Sequence, residues 1–214
     1  MFWQANRRLY FLTLILLLGE KNSAWADEVS CSSDSTATNC GLTIDGDDTA
    51  TINAGITLSS IDNAIYLSTD NNIINMTGHI ITNGDSSEGI QFAGGTANNT
   101  MTLNGDITTT CASGSGGNCF GINIAGNSNT LTMKGNVSAA GSTARGLWVS
   151  GDSNTVSLTG DITSSNDSGI IFYGDNNTVT TVGNILAGAK GIDYWGATGN
   201  TITHTGNITT TLVN

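Results

Sequence analysis

Proline is absent from all 214 residues, and basic side chains are scarce, with six Lys and Arg against 17 Asp and Glu. Without proline no backbone N–H is lost and no strand is forced to a sheet edge, which leaves the whole chain able to enter hydrogen-bonded ladders. Charged residues make up only 11% of the chain and aromatic residues 6%. So few charges exclude a surface of salt-bridged helices. A mean hydropathy near zero excludes both a highly charged disordered polymer and a multispanning membrane protein. What is present in excess is glycine, 28 residues of it, together with Asn, Thr and Ser. That balance favours short strands and tight turns.

Long hydrophobic runs are also lacking, except one. Arg7 and Arg8 precede an apolar stretch from Leu9 to Leu18, and Ala24-Trp25-Ala26 follows as an A-x-A cleavage site. These features predict a signal peptide over 1–26. The stretch is shorter than the ~20 residues a spanning helix needs, so no transmembrane segment is expected in the mature chain, which is read as exported. Removing the leader leaves three basic residues against 16 acidic ones, a balance of −13. Such a chain repels nucleic acid and anionic lipid.

The remainder is repetitive. A Gly-polar-Ile/Val-Thr/Ser block stands at Gly105, Gly135, Gly160 and Gly206, with variants at Gly78 and Gly183 and a looser copy at Gly55, spaced 23, 27, 30, 25, 23 and 23 residues apart. An Asn-Thr-apolar-Thr/Ser block begins six residues before five of these glycines, at Asn99, Asn129, Asn154, Asn177 and Asn200, with Asn72 a degenerate copy. A Gly-apolar-x-apolar block falls between them, at Gly89, Gly121, Gly146, Gly169 and Gly191. Three period-2 strands per unit at a basic period of 23 predict a right-handed single-stranded parallel β-helix of six to seven coils. It is expected over 49–214, after a cap segment at 27–48.

Alternation assigns sides. Met101, Leu103 and Ile107 point inward, and so do their equivalents in later units. Asn99, Asn129, Asn154, Asn177 and Asn200 share that parity and predict a buried amide ladder at a corner. Four cysteines in an exported chain read as disulfides, with the local pairs Cys31–Cys40 and Cys111–Cys119 favoured by spacing. Neither pair is C-x-x-C, and no metal or cofactor is expected.

The leader, coils of the Asn-Thr-Val-Ser-Leu-Thr-Gly-Asp-Ile-Thr type (Asn154 to Thr163), the few basic residues and the close Cys pairs resemble passenger domains of Gram-negative autotransporters. The likeness covers about Thr49 to Asn214. It implies a surface-displayed stem acting in adhesion, with a host glycan or cell-surface protein as partner and an outer-membrane β-barrel as translocator. The chain stops partway through a coil without that barrel, and reads as the N-terminal part of a longer passenger or a truncated gene product. Without a barrel it would be periplasmic.

Outward positions of the third strand supply the candidate contact face: Trp148, Ile171, Tyr173, Asp193 and Trp195, four large apolar groups and one acid on adjacent coils. A second regular surface is the outward Thr pairs of the first strand, Thr100/Thr102, Thr130/Thr132, Thr155/Ser157, Thr178/Thr180 and Thr201/Thr203, which resemble the ice-binding face of some β-helical antifreeze proteins. The alternative to adhesion is a polysaccharide-processing enzyme of the pectate-lyase-like fold or its binding remnant. That chemistry needs clustered carboxylates and basic residues for an acidic substrate, of which only Lys134, Arg145 and Lys190 follow the leader. No catalytic residue is assigned.

Overall fold

The computed structural model describes residues 29–31, 40–44, 49–111 and 118–211, the side chains of 29–31, 40 and 53–56 excepted. The leader read at 1–26 lies outside the described residues. All regular structure among the described residues is β, wound as a right-handed parallel β-helix of about six turns. Its three faces follow the three repeated blocks. The first carries Thr100–Asn104, Thr130–Lys134, Thr155–Thr159, Thr178–Val182 and Thr201–Thr205. The second carries Ile107–Thr110, Val137–Ala140, Ile162–Ser164, Ile185–Ala187 and Ile208–Thr210. The third runs from Cys40–Ile44 through Ile65–Leu67, Glu88–Phe92, Cys119–Ile124, Ala144–Val149 and Ile170–Phe172 to Ile192–Tyr194.

Neighbours on these faces are parallel and in register, as Leu131 between Met101 and Val156 illustrates, except for a register shift between Ile52 and Ile56 where Thr49–Ser60 pairs with Ile73–Thr82. One antiparallel pair, Val29–Cys31 against Cys40–Ile44, lies at the start. In the lower coils Thr49–Ser60 and Ile73–Thr82 run through the first two faces without a break. Later coils turn at Gly105, Gly135, Gly160, Gly183 and Gly206, whose φ values lie between 140° and 157°. A side chain there would be strained, and a Cβ on Gly160 would run into the Gly135 carbonyl of the coil below.

The alternation fills the interior with apolar ladders. Ile74, Met101, Leu131, Val156 and Val179 are buried, as are Ile80, Ile107, Val137, Ile162 and Ile185. In the last described coil the inward positions Ile202, Tyr194 and Ile208 remain partly or well exposed.

The Asn ladder forms as the parity predicts. The Oδ1 of Asn99 accepts the backbone N–H of Asn72, and the pattern repeats from Asn99 to Asn129, Asn129 to Asn154, Asn154 to Asn177 and Asn177 to Asn200 at 2.7–2.9 Å. The preceding residue of each corner, Asn98, Ser128, Ser153 or Asn176, is left-handed with φ of 54–60°, a conformation Asn tolerates better than most residues. Two exposed ladders run alongside. One passes through Asp106, Asn136, Asp161 and Asn184, the other through Asn127, Asp152 and Asp175, each side chain accepting the N–H of the coil above.

Cys111 and Cys119 form a disulfide that packs with Ala139 and Ala144 in a small core of its own. The loop between them, 112–117, lies outside the described residues. Cys31 and Cys40 stand opposite each other in the antiparallel pair, and their side chains lie outside what is described.

Candidate functional site

The third face owes its chemistry to three outward files. The residue before each Gly of the Gly-apolar-x-apolar block makes the first: Glu88, Phe120, Arg145, Ser168 and Lys190. Gln91, Asn123, Trp148, Ile171 and Asp193 are in register as the second. The third ends in Tyr173 and Trp195. The side chains pack across the files: Phe120 stacks on Trp148 at 5.0 Å between ring centroids, Trp148 on Tyr173 at 4.5 Å, and Tyr173 on Trp195 at 5.7 Å. Successive coils lie ~4.8 Å apart, so rings that rise with the coils meet face to face.

This packing corrects part of the expected patch. Ile171 points outward but is 2% exposed, buried beneath its neighbours rather than presented to solvent. Trp148 is half-buried, its faces taken by Phe120 and Tyr173. Exposure grows toward the last coil, with Tyr173 at 38% and Trp195 at 56%. Trp195 is thus the most exposed ring of the ladder.

Beside Trp195 lies a depression of about 240 Å³, lined in part by Ile171, Ala189, Tyr173 and Trp195. Ile171 is much smaller than the rings around it, which is why the surface dips there. Arg145, Asp167, Lys190 and Asp193 also line the depression. The Arg145 Nε lies 2.7 Å from Asp167 Oδ2, and its guanidinium covers Trp148 at 4.4 Å and Phe120 at 5.4 Å. Lys190 Nζ donates to both Asp193 oxygens, at 3.0 and 2.9 Å, and the Trp195 indole Nε1–H donates to Asp193 Oδ2 at 2.8 Å. Partial burial pushes the Asp193 carboxyl up, but the bonds from Lys190 and Trp195, the Lys190 charge and the Tyr194 backbone outweigh it and hold it below its ordinary value.

Of the expected site residues, Tyr173, Asp193 and Trp195 come together at the depression, Ile171 is its floor, and Trp148 lies beneath it in the stack. Phe120, Arg145, Asp167 and Lys190 were missed. Two of the three basic residues beyond position 26, Arg145 and Lys190, each stand immediately before a repeat glycine. That shared slot was the available signal.

A second feature of this face is Glu88, which is 8% exposed. Its Oε1 accepts from Asn123 Nδ2 at 2.9 Å, while Oε2 is buried without a partner. Burial, opposed by the Asn123 bond, pushes its carboxyl up to about 7. On the first face the Thr pairs form two straight files, Thr100 through Thr201 and Thr102 through Thr203, in register across five coils. Among the described residues no group of three or more His, Cys, Asp or Glu is placed to hold a metal, and no helix is long and apolar enough to cross a membrane.

Fold and site together define a right-handed parallel β-solenoid with a stacked aromatic ladder and a charged depression on one face. No family model, curated protein or solved structure matches the chain.

Proposed function

We propose that the chain is an exported, surface-displayed passenger stem that acts in adhesion or cell-surface contact and is not catalytic. The carrying observation is the exposed Trp195 at the end of a stacked aromatic file, beside a depression that gathers two cations in an otherwise acidic chain. Aromatic groups rigidified by stacking lose little entropy on contact, which suits them as anchors for a glycan or a protein. A carboxylate lining the depression, Asp193, has both oxygens engaged and is held ionised, an arrangement suited to binding rather than to proton transfer near neutral pH. The leader motif supports export, and the coil repeats support display through a β-barrel translocator.

Binding of the purified chain to glycan-coated or cellular surfaces tests this reading. Trp195→Ser is expected to reduce binding severalfold, whereas Thr132→Ser on the first face leaves it unchanged. Release of products from an acidic polysaccharide would instead favour the enzyme alternative. A second reading is favoured by one observation, the in-register Thr files: such a flat array is suited to ice. Thermal hysteresis in the purified chain, lost in Thr132→Tyr, is what that reading expects, and no hysteresis would end it.

A further inference from the structure

We propose that the depression over Ile171 is a subsite for a single neutral pyranose ring. The inference rests on the adhesion reading and deepens it by naming the class of ligand. Size comes first. At about 240 Å³ the depression falls below the roughly 300–1,000 Å³ of drug-sized sites, so it accommodates one small ring and not an extended molecule.

Its surface then selects the chemistry. The floor, Ile171 and Ala189, is apolar, and Tyr173 and Trp195 flank it, so a ligand with an apolar C–H surface gains by covering them. The polar walls are charged but neutralised in pairs: Arg145 with Asp167 and Lys190 with Asp193. A ligand with a net charge would have to break one of these pairs or leave a partner uncompensated. A ring of hydroxyl groups has no such cost, because each hydroxyl both donates to an aspartate oxygen and accepts from a guanidinium or ammonium N–H. The pairs also hold the walls in place beforehand. Asp193 is fixed by Lys190 and the Trp195 indole, Asp167 by the Ser168 N–H and hydroxyl at 2.8 and 3.2 Å, and Arg145 by its rings and by Asn118. These contacts reduce the side-chain freedom that is lost on binding.

The test titrates the purified chain with methyl α-D-glucopyranoside, methyl α-D-galactopyranoside and methyl α-D-mannopyranoside, with galacturonate and glucosamine as charged counterparts. Affinity is read by calorimetry, and the location by the Trp195 indole N–H resonance. At least one neutral pyranoside is expected to bind saturably in the millimolar range and to shift that resonance. Trp195→Ala and Asp193→Ala should weaken it by roughly tenfold. Asp193→Asn, which keeps the side-chain shape, should weaken it as well and guards against a fold defect in the alanine variant. Tighter binding of galacturonate or glucosamine would overturn the neutral selection. Binding unaffected by all three variants, or absent for every neutral pyranoside, would overturn the subsite. A chain that fails with the sugars yet adheres to surfaces through Trp195 would sink this inference alone, whereas a chain that adheres to nothing would sink the adhesion reading beneath it.

Discussion

Glu88 is a carboxyl that the fold keeps from water, and its titration is written into stability. Its ordinary value is 4.5 and the folded value about 7, so between those pH values the unfolded chain gives up the proton while the folded chain keeps it. A raised acid pKa means that stability falls as pH rises through the window, levelling off above the folded value. The full effect is about 3 kcal/mol, from roughly 1.4 kcal/mol for each pH unit that separates the two values. Glu88→Gln, which cannot ionise, should therefore be more stable than the parent at pH 8, with little difference at pH 4.5, when urea unfolding is followed at several pH values. Parallel profiles for the two chains would show that Glu88 is not the group concerned. Single residues also mark where sequence reasoning reaches its limit. Parity placed Ile171 and Trp148 outward correctly, but parity gives direction and not cover. Their burial depends on the size of neighbours one coil away and on Arg145 lying across Trp148, none of which a period of two encodes.

At the scale of the strand and its corner, much of the structure follows from the repeat. The Asn-Thr block sets the first face, the Gly-polar-Ile block the second, and the bend between them falls at a glycine because no Cβ fits against the carbonyl below. At Gly78, which lacks the positive φ of its successors, the chain passes straight through as Ile73–Thr82. The letter is the same but the backbone differs, so this departure was not legible. The inner and outer ladders make equivalent bonds in different solvents. Asn154 accepts the buried N–H of Asn129 at 2.8 Å, and its loss leaves a donor with no water to replace the side chain. Asn154→Ala should cost about 1–3 kcal/mol. Asn136 accepts the Asp161 N–H at the same 2.8 Å in an exposed corner, where water substitutes, and Asn136→Ala should cost less than about 1 kcal/mol. Urea midpoints for the two variants check the contrast, and equal losses would mean that burial does not set the value of the ladder.

Across the whole molecule, scarcity of positive charge turns from a background property into a location. The few basic residues leave most of the coil surface polar or acidic, yet Arg145 and Lys190 converge on one depression two coils apart. The coil architecture was readable because its period is carried by about 160 residues of sequence. The site was only half readable. Asp167 lies in a turn between blocks, where unit lengths vary and the period assigns no side, and the pairing of charges across coils depends on register in three dimensions. In the proposed reading the coils supply rigidity and the third face supplies contact.

That division of labour is tested most directly by measuring surface binding of the parent chain, Trp195→Ser and Thr132→Ser side by side, after confirming that all three unfold at similar urea concentrations. Severalfold weaker binding for Trp195→Ser alone is the predicted result, and equal binding by all three chains would contradict the assignment of contact to the third face.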